Sequence, residues 1–340
     1  MKYLTMSLMV TLSICGVVAS CAGNGEKSAQ QAAPAAQITE VAVPAFNADS
    51  AYRYVAAQME FGNRIPNTEP HARTAEWLAS ELKRHGAAVT VQEAPVEAFD
   101  KTILNAKNII GQFSPGKSER ILLFAHWDSR PFADHDPQKA NQKKPVPGAN
   151  DGASGVGVLL EMARLFGMQQ PNIGVDIIFF DAEDYGTPEF WKGPYQENSW
   201  ALGTQYWAKR PHQPGYRARY GILLDMVGAK NATFLREAYS NYFAPSVLDK
   251  IWKTGQKLGY GAYFIDQEGG AINDDHYYVN TISRIPSVDI IHLEPNSKTG
   301  FYPYWHTVDD TLDKIDPTTL KAVGETVTNV VYNEMKSPNR

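Results

Sequence analysis

Val175-Asp176-Ile177-Ile178-Phe179-Phe180-Asp181-Ala182-Glu183-Asp184 is the stretch of this 340-residue chain whose reading decides the fold. Its first six residues, dominated by Val, Ile and Phe, read as a buried strand. The strand ends in three carboxylates within four residues. Such groups repel one another, and burial raises the cost of keeping them ionised. A bound cation is the simplest way to make the arrangement stable. The strand end is therefore a candidate metal site.

Four other segments end or follow apolar runs in the same way. His126-Trp127-Asp128 follows Ile121-Leu122-Leu123-Phe124-Ala125, and the others are Asn150-Asp151-Gly152, Asp274-Asp275-His276 and Trp305-His306-Thr307. Between them the periodicity alternates. Strands are expected at 89–99 and 107–113 as an antiparallel pair, then at 121–126, 175–181, 220–226 and 287–293. Helices are expected at 49–60, 69–85, 152–166, 198–208, 245–258 and 317–335; in the second, Pro70 suits the first turn, Trp77, Leu78 and Leu82 make the apolar stripe, and Gly86 stops it. This alternation predicts an α/β fold of three layers, α/β/α, around a mixed, mostly parallel sheet. Ligands of such sheets sit at the carboxyl ends of the strands, where the charged segments fall.

The N-terminus reads as a targeting segment. Lys2 precedes an apolar run, 6–18, too short to span a bilayer, and Val18-Ala19-Ser20 precede Cys21. This order resembles a bacterial lipoprotein processing site and implies a signal peptide over 1–20 and lipidation of Cys21. The expected product is an exported, membrane-anchored protein facing the periplasm or the cell surface. Residues 21–45, rich in Ala, Gln, Gly and Ser, read as a flexible tether, and 46–340 as one catalytic domain. Cys15 leaves with the signal, so no cysteine remains for a disulfide or a metal. The net charge of −5, without a basic stretch carrying interleaved aromatics, argues against a nucleic-acid partner. Nothing in the sequence calls for more than a monomer.

Catalytic zinc takes three protein ligands and keeps one position open; here the ligands must be His, Asp or Glu. Asp151 opens a helix and suits either metal binding or capping of the backbone N–H groups. Glu183 and Asp184 can divide two jobs, one binding metal and the other moving protons. His306 lies among Phe301, Tyr302, Pro303, Tyr304 and Trp305, which could wall a small apolar pocket. Asp274 and Asp275 suit a helix N-terminus as well as a site. His71, His85, His135 and His212 read as surface residues, and His292 as a hydrogen-bonded core residue.

Together these segments resemble the zinc aminopeptidase clan and, within it, the glutaminyl-peptide cyclotransferases. The resemblance runs from Asn105 to Glu334. Its pieces are Ala125–Ser129, Gly148–Ala153, Ile178–Asp184, Leu223–Ala229, Asp274–His276 and Trp305–Asp310. It implies one zinc per chain, held by Asp151, Asp184 and His306. Glu183 becomes the general base and acid, and Asp274 a stabiliser of the tetrahedral intermediate. Trp305 and a Trp of the 185–207 loop, Trp191 foremost, would line the glutamine pocket. Asp225 would join Asp274 in a carboxylate network, and His126 would stand behind the metal. The implied reaction turns the N-terminal glutamine of a peptide into pyroglutamate.

Glu183-Asp184 departs from the Glu-Glu of the animal enzymes, so the implied ligand is one methylene shorter. Two-zinc aminopeptidases of the same clan bind a second metal through positions matching His126 and Asp225, both of which are present. A hydrolase is thus the rival reading. A non-enzymatic peptide-binding lipoprotein is a third, and the intact set of ligands speaks against it.

Overall fold

The computed structural model describes residues 42–334 apart from Tyr195. The signal, most of the tether and Cys21 lie outside the described residues. Among those described, no helix is long and apolar enough to cross a membrane.

The sheet grows from the two strands that were most apolar in sequence. β3 (Arg120–His126) and β4 (Gly174–Phe180) are buried along their whole length and pair in parallel. β5 (Gly221–Asp225) and β8 (Ser287–Ile291) extend the parallel set on one side. β1 (Ala88–Glu97) and β2 (Ile103–Phe113) form an antiparallel pair that joins β4 on the other, giving the order β1-β2-β4-β3-β5-β8. Side chains alternate across this sheet with a period of two. Leu123, Ile177, Phe179 and Leu224 pack on the face covered by α1 (Ala48–Glu60), α2 (Glu69–Arg84), α3 (Ala153–Met168), α6 (Pro245–Lys257) and α8 (Pro317–Asn333). Leu122, Phe124, Ile178, Phe180 and Leu223 face α4 (Leu202–Lys209) and the segment around Val279. The three layers agree with the expected class.

Element ends follow local chemistry. Thr68 caps α2 with Pro70 in its first turn, and Asp316 caps α8 ahead of Pro317. Asp176, the polar residue inside β4, is satisfied by Arg120 through contacts of 2.6 and 2.7 Å and by the Tyr216 hydroxyl. Gly155 lets α3 lie close on β5, because a Cβ there would stand 2.1 Å from the Leu224 carbonyl oxygen. That approach sets the start of α3 over the carboxyl ends of the strands.

Four elements lie outside the expectations. β6 (Phe234–Arg236) and β7 (Phe264–Glu268) form a small parallel pair, α5 (Ala238–Phe243) follows β6, and α7 (Asp275–Tyr278) runs into one irregular turn over Val279–Ser283. Each is too short for its periodicity to show.

Candidate active site

Asp151 precedes α3, but Gly152, not Asp151, is the cap residue, and no side chain caps this helix. Gly152 has φ +89°, and a Cβ there would strike the Asp128 carbonyl and the His126 ring. Asp151 is thereby turned away from the helix into a cavity of about 290 Å³. Capping is excluded.

The acidic end of β4 splits. Asp181 turns into the core, where it pairs with His71 Nε2 at 2.7 Å and accepts the Lys107 and Ala182 N–H groups. A histidine, not a metal, answers this carboxylate. His71 is correspondingly buried in the α2 interface, contrary to its expected place on the surface, and so is His85. Ala182 then adopts φ +52°, which reverses the chain and delivers Glu183 and Asp184 to the cavity. Met226, after Asp225, and His306 are also left-handed, at +48° and +53°. With Ala201 at +51°, four of the nine left-handed non-glycine residues among those described line the cavity or adjoin a residue that does.

Asp151, Asp184 and His306 meet there, each offering an atom to a group small enough for one ion. His306 Nε2 lies 3.2 Å from Asp184 Oδ1 and 3.7 Å from Asp151 Oδ2. Both Asp184 oxygens are buried without a hydrogen-bond partner. Burial, then the neighbouring Asp151 charge, raises the Asp184 pKa. A divalent cation relieves both effects at once, so these residues fit a metal.

Other buried acids hold this set in place. Asp128 accepts the Glu183 and Asp184 N–H groups at 3.2 and 3.1 Å, and Asp310 accepts those of Asn150 and Asp151 at 2.9 and 3.0 Å. Arg130 binds Asp134 through two contacts of 2.7 Å and donates to the Asp184 carbonyl. Asp134 Oδ1 stands 3.5 Å from His306 Nδ1, which directs Nε2 toward the two carboxylates. Burial opposes the Asp134 charge, but Arg130 and His306 overcome it and hold this carboxyl well below the usual range.

His126 Nε2 reaches Asp151 Oδ1 at 3.0 Å and Asp225 Oδ1 at 3.3 Å, a second group of ion-binding size. Burial pushes the Asp225 carboxyl up to about 7, against the hydrogen bond from His126. Burial also raises Glu183 well above its ordinary value; His126 opposes this, and Asp274 and Asp184 add to it. Asp274 lines the cavity and also caps α7 through the Asp275 N–H. Asp225 hydrogen-bonds His126, and its influence on Asp274 is electrostatic.

Trp305 walls the cavity with Phe301, Ile272 and Ile291. Trp191 does not. It packs edge-on against Phe99 and donates to the Pro194 carbonyl, outside the cavity. Its place is taken by Trp200, held against Arg130 at 4.6 Å and nearly parallel to the His306 ring at 5.9 Å. His292 is buried as expected; its Nε2 stands 3.1 Å from Glu294 Oε1 without the geometry of a hydrogen bond, and burial lowers its pKa to about 4.

With this geometry stands a match to the Peptidase family M28 model over residues 108–331. The chain belongs to peptidase family M28. Among solved structures it is similar to a Zn-dependent exopeptidase from Parabacteroides distasonis, with 59% identity and a TM-score of 0.85, covering 86% of this chain and 100% of that one. It is similar as well to the Bacteroides thetaiotaomicron glutaminyl cyclase bound to N-acetylhistamine, with 55% identity, a TM-score of 0.84 and coverage of 86% and 99%. Over 247 residues it is 28% identical to the glutaminyl-peptide cyclotransferase of Bos taurus, matching 63% of this chain and 62% of that protein.

Proposed function

We propose that this chain is a zinc-dependent glutaminyl-peptide cyclotransferase, converting the N-terminal glutamine of peptides and proteins to pyroglutamate with release of ammonia. One observation carries the reading. Of the two ion-sized groups that share Asp151, only that of Asp184 and His306 leaves buried ligand atoms unpartnered. His126 and its two carboxylates are already within hydrogen-bond range of one another. This supports one zinc, on Asp151, Asp184 and His306, in a cavity walled by Trp200 and Trp305. The 55% identity to a glutaminyl cyclase supports the same reaction.

Zinc bound there would supply Lewis-acid polarisation of the side-chain carboxamide. The protein supplies the rest. The two tryptophans hold the glutamine side chain folded, so the peptide's own α-amine attacks within the same molecule and gains from proximity. An ammonium cannot attack, so Glu183 first takes its proton. The α-nitrogen then bonds the carboxamide carbon and gives up a second proton, the carbon–NH2 bond breaks, and Glu183 returns the first, so that the two protons carry the NH2 group away as ammonium, the protonated form of ammonia. A raised Glu183 pKa suits a group that must both accept and release a proton. Asp274, on the cavity wall, accepts hydrogen bonds from the reacting nitrogens.

The compact His126, Asp151 and Asp225 group favours a second reading, a two-zinc aminopeptidase. Incubation with matched peptides beginning with Gln or with Leu separates the two. Loss of one ammonia from the Gln peptide, with one zinc per chain, supports the cyclase; free Leu and two zincs per chain overturn it.

The proposal extends to location, with the mature chain a monomer tethered to a membrane through lipidated Cys21. Cys21→Ser should release the enzyme into the soluble fraction, and retention of the variant on membranes would refute the tether.

A further inference from the structure

Asp289 lies in the middle of β8, fully buried, and neither of its carboxylate oxygens has a hydrogen-bond partner. Asp274 Oδ2 is in the same condition, while its Oδ1 accepts the Asp275 N–H. One oxygen of each carboxyl, with a ring nitrogen of His276, falls in a buried cluster whose atoms all lie within 4.8 Å of one another, so a proton on either carboxyl has the other as its acceptor. Two ionised carboxylates in that contact would repel and leave buried acceptors unmet.

Among the described residues no other side-chain donor is within hydrogen-bond length of Asp289, and the group that Asp274, His276 and Asp289 form is also of ion-binding size, which the test below separates from a proton. His276 Nδ1, on α7, is 3.7 Å from Asp289 Oδ2, beyond hydrogen-bond length. Its Nε2 is engaged by Glu237 at 3.0 Å. Glu237, the cap of α5, also accepts from Tyr239 N, Ser240 N, Ser240 Oγ and Ile272 N, which makes it a satisfied anion. Asp225, at the end of β5, adds negative charge. A single proton between Asp274 and Asp289 satisfies the pair. It belongs on Asp289, because Asp274 has a backbone N–H to stabilise its charge and Asp289 has none.

We propose that Asp289 is a positioning residue for the reaction inferred above: it stands as a neutral carboxylic acid whose O–H donates to Asp274. Asp274 is thereby kept an anion, fixed on the cavity wall and free to accept a hydrogen from the substrate's nitrogen. The inference rests on the cyclase reading for its substrate but not for the protonation it assigns. Burial, then the like charges of Asp274, Asp225 and Glu237, push Asp289 well above the usual carboxylate range, in agreement. This is the device of a carboxyl kept neutral near pH 7 so that it can donate.

The test compares Asp289→Asn, which keeps a donor, with Asp289→Leu, which removes it. Asp289→Asn should hold kcat within about three-fold, while Asp289→Leu should lose roughly 10–100-fold in kcat with KM and zinc content unchanged. Infrared spectra of the zinc-loaded, substrate-free protein near pH 7 should show a protonated-carboxyl C=O band that Asp289→Asn deletes. The inference is overturned if the Asn variant is as impaired as the Leu variant. It also fails if the band is absent, or if wild type carries an extra metal that Asp289→Leu lacks. Should Asp289→Leu not fold, the Asn variant and the band decide. Because the band is read without turnover, its absence is distinct from failure of the cyclase reading, in which wild type releases no ammonia from a Gln peptide.

Discussion

Glu237→Gln should make the protein's stability less dependent on acid. Glu237 is completely buried and accepts five donors, which tie the start of α5, the cavity loop at Ile272 and the α7 histidine together. Burial alone would raise its pKa; the hydrogen bond and charge of His276, with those of Ser240 and Ile272, prevail and lower it from 4.5 to about 2. At roughly 1.4 kcal/mol per pH unit this is about 3 kcal/mol of stability. A depressed pKa stabilises the fold above the unfolded value near 4.5, and that stabilisation disappears as pH falls toward 2. About 2 kcal/mol of it should be gone by pH 3. The glutamine variant keeps the shape but cannot ionise, so its deficit against wild type should be large at pH 7 and shrink by that amount at pH 3. Chemical denaturation of both proteins at pH 7, 5 and 3 measures the gap, and the other titrating acids cancel in the difference. A gap that stays constant across the range would refute the assignment of Glu237 as the satisfied anion.

Glu183→Gln should retain zinc yet lose roughly 10²–10⁴-fold in kcat; unchanged turnover would remove Glu183 from proton transfer. His306→Ala should lose the metal, as read by elemental analysis of purified protein, and full zinc content would displace His306 from the ligand set. Trp200→Ala should raise KM by about ten-fold, a loss of roughly 1.4 kcal/mol, whereas Trp191→Ala should leave it unaltered. The reverse order would restore Trp191 to the pocket. Removing zinc with a chelator should abolish activity and lower Tm, with both restored by added zinc.

The parts legible in sequence were those with local causes. β3 and β4 are runs of buried apolar residues, and α2 and α8 carry a cap and a proline, so their ends fall within two residues of expectation. Asp184 stood out at the end of an apolar strand, Asp151 at the start of a helix and His306 among aromatic residues, and the family resemblance grouped the three as a ligand set. His71 was misread although the signal was there. It shares the buried stripe of α2 with Thr74, Ala75, Leu78 and Leu82, a spacing that places its ring in the core. Trp200 left no such mark. The segment before α4 has no regular structure, and what selects Trp200 over Trp191 is Arg130, seventy residues earlier in the chain.

The acids of this site show why residue type alone could not assign them. Asp128 and Asp310 each accept two backbone N–H groups, and their job is to hold the loops that carry other carboxylates. Asp181 and Glu237 are met by histidines. Among the described residues Asp184, Asp274, Asp275 and Asp289 retain buried oxygens without a hydrogen-bond partner, although Arg130 stands 3.5 Å from one oxygen of Asp184 and the Thr204 hydroxyl meets the other oxygen of Asp275. A buried carboxylate oxygen without a partner is costly, so a cation or a proton at Asp184, Asp274 and Asp289 would relieve that cost. On the readings proposed above, Asp184, beside the imidazole of His306, takes the cation and the pair Asp274 and Asp289 takes the proton. The sequence contains every one of these acids, but the partners that divide them lie up to 160 residues away. Only the folded chain sorts the clamps from the reactive groups.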